Sequence, residues 1–122
     1  MISPEEIKLH RAENLLEIVF SDGFVASLPA EFLRVESPSA EVQGHSPDQR
    51  VLVTAKRDVA ITKIEPTGNY AIRLTFSDSH DTGIFSWDYL HRLGHEYPNR
   101  WAAYLKRLEQ AGLSRDAAAP AS

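Results

Sequence analysis

The chain has no cysteine, a single methionine and no long apolar run. The missing cysteine excludes disulfides, thiol chemistry, iron–sulfur ligation by this chain alone and cysteine-type zinc sites. No stretch of about 18 apolar residues is available to span a bilayer, so no membrane partner is expected. The opening residues, Met1-Ile2-Ser3-Pro4-Glu5-Glu6, lack a basic segment followed by an apolar one, so no secretion signal is read and a cytoplasmic location is the expectation. A basic excess is absent too. The net charge of -4 argues against a nucleic-acid partner, which needs a basic face. Arg100, Lys106 and Arg107 cluster, but Glu96 and Glu109 flank them, and the group reads as a solvated helix face.

What is present, 122 residues of which 43% are apolar and 25% charged, suits one domain with one core. Ile7 to His10 alternates briefly, and Leu15 to Phe20 is a stronger strand. Asp22-Gly23 separates it from Phe24 to Leu28, and an Asp-Gly pair between two such runs predicts a hairpin. Pro29 ends that strand and opens a short helix, Pro29 to Arg34, as its first residue. Ser37 to Arg50 has no period and reads as a long loop. Leu52 to Thr54 and Ala60 to Ile64 are short strand candidates, and Pro66-Thr67-Gly68-Asn69 is a turn. Ala71 to Phe76 alternates cleanly, with Ile72, Leu74 and Phe76 on one face. After the turn at Ser77 to Asp81, Gly83-Ile84-Phe85 returns as a strand.

Ser86 is placed to cap a helix from Trp87 to Leu93, with Asp88 in its first turn and Gly94 at its end. A second helix, Pro98 to Ala111, presents Trp101, Tyr104, Leu105 and Leu108 as one stripe. Gly112 and Leu113 fit a Schellman ending in which Leu113 would touch Leu108. The expected fold is therefore α+β: a small sheet of short, mainly antiparallel strands with helices packed on one face. Ile18, Phe20, Phe32, Ile72, Leu74, Phe76, Ile84, Leu90 and Leu105 are the expected core. Residues 1–113 form the domain, and the alanine-rich segment 114–122 is expected to be a disordered, dispensable tail.

Few residues suggest chemistry. His80 stands in a turn between Asp78 and Asp81, so Asp78, His80 and Asp81 could hold a metal or share a proton; the plainer reading is a polar turn. His91 and His95 are four apart, as zinc-binding pairs are. Arg92 stands where a zinc protease needs glutamate, and Gly94 is expected to stop the helix before His95 joins its face. Ser37, Ser39 and His45 are candidates for nucleophilic catalysis, yet no Gly-x-Ser-x-Gly elbow or Walker pattern surrounds them. Trp87 and Trp101 read as core. Arg34 beside Glu36 offers an anion contact or a local ion pair.

Leu33-Arg34, Ser37-Pro38-Ser39-Ala40-Glu41, Gly68-Asn69-Tyr70-Ala71 and the run from His80 to Leu90 (HDTGIFSWDYL) together resemble the bacterial DUF971 family. The same order of elements is similar to the N-terminal domain of γ-butyrobetaine hydroxylase and trimethyllysine hydroxylase, over roughly Ile7 to Gly94. In those hydroxylases the domain carries a structural zinc on three cysteines and a histidine. The resemblance puts the cysteine positions at Ser37, Ser39 and Val42 and the histidine at His80. Serine is a poor zinc ligand and valine is none, so no metal is expected in that arrangement. The resemblance does imply that the loop and the His80 turn meet. It points to a polar binding site of Arg34, Ser37, Ser39, Glu41, His80 and Asp81.

The hydroxylases' iron and 2-oxoglutarate chemistry belongs to a separate domain that this chain is too short to contain. A related domain is fused to Mrp-type ATPases that deliver iron–sulfur clusters. The resemblance therefore implies a non-catalytic binding or accessory module around iron or iron–sulfur metabolism, with another protein as partner and no cofactor. The alternative is a metal-ion-binding protein, iron being the candidate ion, using His80 and neighbouring carboxylates. A small hydrolase using Ser37 or Ser39 is the remote third.

Overall fold

A computed structural model of the chain describes residues 2–44 and 49–116. The first sheet grows around β2 (Leu15–Phe20), flanked by β1 (Pro4–His10) and β3 (Val25–Pro29), all antiparallel. Strict alternation puts Leu16, Ile18 and Phe20 on the inner face, where all are buried. The β2–β3 turn is the expected one. Gly23 takes φ +87°, its N–H donates to the Phe20 carbonyl at 2.9 Å, and the Phe24 N–H donates to Asp22 Oδ1 at 3.0 Å. A side chain with a Cβ rarely adopts that φ, so the turn needs glycine. Pro29 caps α1 (Ala30–Val35) rather than forming its first residue.

The second sheet has β5 (Ala71–Phe76) between β4 (Ile61–Thr67) and β6 (Gly83–Ser86), again antiparallel. Two sheets thus stand where one was expected. Ile72, Leu74 and Phe76 are buried as the alternation predicts. Strand β4 continues through Pro66 to Thr67, and the turn comes at Gly68–Tyr70, later than expected. Proline is tolerated there because β4 is an edge strand whose missing N–H can face outward. Leu52–Thr54 is not a strand. The Val53 carbonyl accepts the Tyr104 hydroxyl at 2.7 Å, so a side chain serves that backbone instead of a ladder. The loop after α1 also contains a short helical turn, α2 (Ala40–Gln43), bonded back to Ser39.

One continuous helix, α3 (Trp87–Ala111), replaces the two that were expected. Ser86 caps it, accepting the Tyr89 N–H at 3.1 Å. Gly94 does not end it. A Cβ built at Gly94 would stand 2.8 Å from Ala26 Cβ and 2.8 Å from Phe24 Cε2, so glycine allows the helix to lie directly on β3. That packing offsets the poor helix propensity of Gly94 and the backbone hydrogen bond lost at Pro98. At the far end Gly112 is left-handed, Leu113 N–H donates to Leu108 O at 2.9 Å and Gly112 N–H to Glu109 O at 3.1 Å, the Schellman pattern.

The main core joins both sheets, α1 and the first turns of α3 through Phe20, Phe32, Leu74, Phe85, Leu90 and Leu93. A second cluster, Val35, Val42, Val53, Tyr104 and Leu108, sits under the distal half of α3. Two expected core residues lie outside: Ile84 is 45% exposed and Leu105 38%. On β6 the inward positions fall to Gly83 and Phe85, and on α3 the buried stripe runs through Tyr104 and Leu108, one position away from Leu105.

The segment after Leu113 is not free from Ser114 onward. Ala55 N–H donates to Ser114 O at 3.1 Å and Arg57 N–H to Arg115 O at 3.0 Å. Arg115 clasps the buried Glu31 carboxylate with two bonds, 2.8 and 2.6 Å, and lies 5.1 Å from the Trp101 ring centroid. The remaining expected tail, 117–122, lies outside the described residues.

Gly94→Ala should destabilise the domain, although alanine gains about 1 kcal/mol of helix propensity over glycine. The clash is with Ala26 Cβ, which cannot swing away, and overpacking of this kind costs about 1–3 kcal/mol; a higher urea midpoint than wild type would refute it. A chain ending at Leu113 should be less stable than one ending at Asp116 by about 2 kcal/mol, because Glu31 would stay buried without its cation. Calorimetry on the two truncations measures that difference directly.

Candidate functional site

The end of α1, the segment leading into α2 and the β5–β6 turn converge on His80. Ser79 takes φ +72° and the His80 N–H donates to Asp78 Oδ1 at 3.2 Å, so an aspartate turn folds the imidazole inward. Across from it, Ser37 follows α1 and Glu41 sits in α2. Ser37 Oγ is 2.8 Å from His80 Nε2, Ser39 Oγ is 3.4 Å from the same nitrogen, and His80 Nδ1 is 3.2 Å from Glu41 Oε2. A carboxylate only accepts, so Nδ1 carries the proton and donates to Glu41, while Nε2 accepts the Ser37 hydroxyl. Gly83 makes room: a Cβ there would meet Ser37 Oγ at 2.6 Å.

Electrostatics favour this neutral tautomer. Burial lowers the His80 pKa below the ordinary 6.5, as does the charge of Arg34, against the opposite pull of Glu41 and Asp78. Asp78 does not face the ring as a ligand. Its Oδ2 takes Arg34 Nε at 2.8 Å and Lys56 Nζ at 2.7 Å. Burial alone would raise its pKa, but these two cations and the His80 N–H hold it at about 2.

The site expected from the sequence is therefore assembled in part. Ser37, Ser39, Glu41 and His80 meet, and Arg34 joins through Asp78. Asp81 does not join: it is exposed, and its charge acts on Arg73 instead. Asp78, His80 and Asp81 do not converge, and among the described residues no three His, Asp or Glu side chains are grouped as metal ligands. Val42 is buried in the second core cluster, away from the hydroxyls. His45 lies outside the described residues.

His91 and His95 do share a helix face, because α3 is unbroken, but both are engaged. His91 Nε2 is 2.8 Å from Asp22 Oδ2, and His95 stacks on Phe24 with centroids 3.7 Å apart. Lys56 was missed, being far from His80 in sequence. So was the cluster at Glu36, a 1% exposed residue whose Oε2 takes Arg50 Nη2 at 2.9 Å and Arg100 Nη1 at 2.8 Å. The Tyr89 hydroxyl donates to the Glu36 carbonyl at 2.6 Å.

Hydroxyl, imidazole and carboxylate stand in the order used by serine hydrolases, but the array is closed. Ser37 is 0% exposed and His80 6%, with Gly83 backbone against the Ser37 oxygen. What it does is tie the loop to the turn. His80→Ala should speed amide exchange from Ser37 to Gly44 while β2 and β5 stay protected, and should cost about 2–3 kcal/mol. It should also change the pH dependence. The folded pKa lies below the unfolded 6.5, so the unfolded state binds the proton more readily on acidification. The wild-type contribution is complete above about pH 6.5 and is lost as pH falls through the folded value. Denaturation midpoints between neutral and acidic pH should fall more steeply for wild type than for the variant.

Solved structures share this fold. Two NMR solution structures are similar to the chain: one at 45% identity and TM-score 0.83, covering 100% of this chain and 97% of the other, and one at 44% and 0.81, covering 100% and 94%. A crystal structure at 1.93 Å of a DUF971-family protein of unknown function from Acidithiobacillus ferrooxidans is similar at 39% identity and TM-score 0.63, covering 75% of this chain and 92% of that one. No curated protein matches the chain. The family model for the γ-butyrobetaine hydroxylase-like N-terminal domain matches residues 7–91. The chain belongs to that family, the γ-butyrobetaine hydroxylase-like N-terminal (DUF971) domains.

Proposed function

We propose that the domain is a non-catalytic binding module that docks onto another protein. One observation carries the reading: the catalytic-type grouping of Ser37, His80 and Glu41 is spent on closing the loop, with no Ser37 surface left for a substrate. A nucleophile must reach its substrate in line with a general base, and here the Ser37 hydroxyl is directed at His80 under the Gly83 backbone. Both imidazole nitrogens already have protein partners, which disfavours the metal-binding alternative. The link to iron or iron–sulfur metabolism rests on the family resemblance.

Labelling and metal content test this reading together. A serine-reactive fluorophosphonate should leave the native protein unmodified, and tag-free protein should carry no stoichiometric metal. Labelling at Ser37 would make it a hydrolase. Stoichiometric metal lost in His80→Ala would make it a metal-binding protein.

A further inference from the structure

Between edge strand β6, the first turns of α3 and the segment entering α2 lies an open cleft of about 430 Å³, lined in part by Pro38, Ile84, Tyr89, Arg92 and Arg100. The polar array around His80 does not line it. Ile84, half exposed on the outer face of β6, supplies an aliphatic surface left open among the described residues. Arg92 is exposed, and its guanidinium lies 5.2 Å from the Tyr89 ring centroid with no carboxylate in ion-pair range among the described residues. The Tyr89 ring beneath it is fixed by the hydroxyl's bond to Glu36. Arg100 is held by Glu36 and by Glu96 at 2.8 Å. Arg50 and Arg100 are taken up by Glu36 and Glu96, which leaves Arg92 as the cation of the cleft without an ion-pair partner among the described residues.

We infer that this cleft docks an acidic segment of a partner protein, a carboxylate meeting Arg92 and an aliphatic side chain covering Ile84. The inference rests on the protein-docking reading above and adds the surface and the chemistry of what it takes. The whole chain is acidic, with net charge -4, so an acidic segment is repelled over most of the surface and attracted here, which gives register as well as affinity. Arginine and tyrosine fixed before binding lose little conformational freedom when a partner arrives. A small free anion would satisfy Arg92 and leave Ile84 in water. A nucleic acid would bring repeated phosphates against Asp88 and Glu96, with one unpaired cation to meet them.

Titration followed by amide NMR tests the cleft. The probes are a short synthetic peptide of glutamate and leucine, its lysine counterpart, and citrate. The glutamate peptide should shift Ile84, Ser86, Tyr89 and Arg92 together, the lysine peptide should not, and Arg92→Glu should weaken binding about tenfold. Ile84→Glu should weaken it as well, and both exposed variants should keep the wild-type spectrum elsewhere. Equal binding of the lysine peptide, scattered shifts, or citrate reproducing the whole pattern would overturn the inference. A photo-crosslinker at Ile84, with one at Lys63 on the opposite edge strand, separates this from the broader reading. In extract of the source cells, crosslinks at Ile84 to an acidic segment, lost in Arg92→Glu, support both. Crosslinks from Lys63 alone overturn the cleft and leave the docking function standing, and none from either position overturns both.

Discussion

Burying a carboxylate costs several kcal/mol unless cations and hydrogen bonds replace the lost water, and Glu36 is buried at the point where the chain leaves α1. Arg50 reaches its carboxylate from the far end of the loop and Arg100 from the middle of α3. Tyr89, a helical residue near the start of α3, takes the Glu36 backbone carbonyl. One residue therefore sets where the loop returns and how α3 lies across the sheets. Removing either arginine would leave a buried charge under-satisfied, whereas a surface pair would be nearly neutral to loss. Everything placed by the loop, Ser37 and Ser39 included, inherits its position from this cluster.

The His80 array works within that frame. In the hydroxylases that the sequence resembles, the corresponding positions are expected to hold a structural zinc, and a structural zinc contributes directly to folding. Two hydroxyls, an imidazole and a carboxylate make the corresponding link here at modest net strength. The link is adequate because it does not act alone: Arg34 and Lys56 hold Asp78, Asp78 holds the His80 N–H, and Glu36 has already brought the loop close. Each bond is weak in isolation, but most of the ordering entropy is shared across the set.

The legible parts of the fold were those decided locally. The Asp22-Gly23 hairpin, the alternation of β5, the Ser86 cap and the Gly112–Leu113 ending each depend on residues within a few positions of one another, and each stands as read. Gly94 and Pro98 are local helix breakers too, yet α3 runs through both, because the contact that decides the matter is with Ala26 and Phe24, far away in sequence. Ile84 and Leu105 were misplaced for a related reason: apolar character marks candidates for burial, and the neighbouring elements choose among them. In the site, Ser37, Ser39 and His80 stood out as residue types, and the resemblance is what brought them together with Glu41. Lys56, Arg50 and Arg100 were not, since ion pairs across the fold leave no spacing in the chain.

That contrast bears on where function sits in such a domain. Groups absorbed by folding have no surface left to recognise anything, and here they include the histidine and serines that a motif search would select first. The residues left over are those the fold holds in place without covering: a guanidinium laid on a fixed tyrosine ring and an isoleucine on the outer face of an edge strand. Leaving apolar surface and an unpaired charge side by side contributes nothing to folding, and a rigid frame behind them makes binding cheaper in entropy. The surface proposed for docking is accordingly the outside of β6 and the first turns of α3, positioned by the same Glu36 cluster that closes the interior.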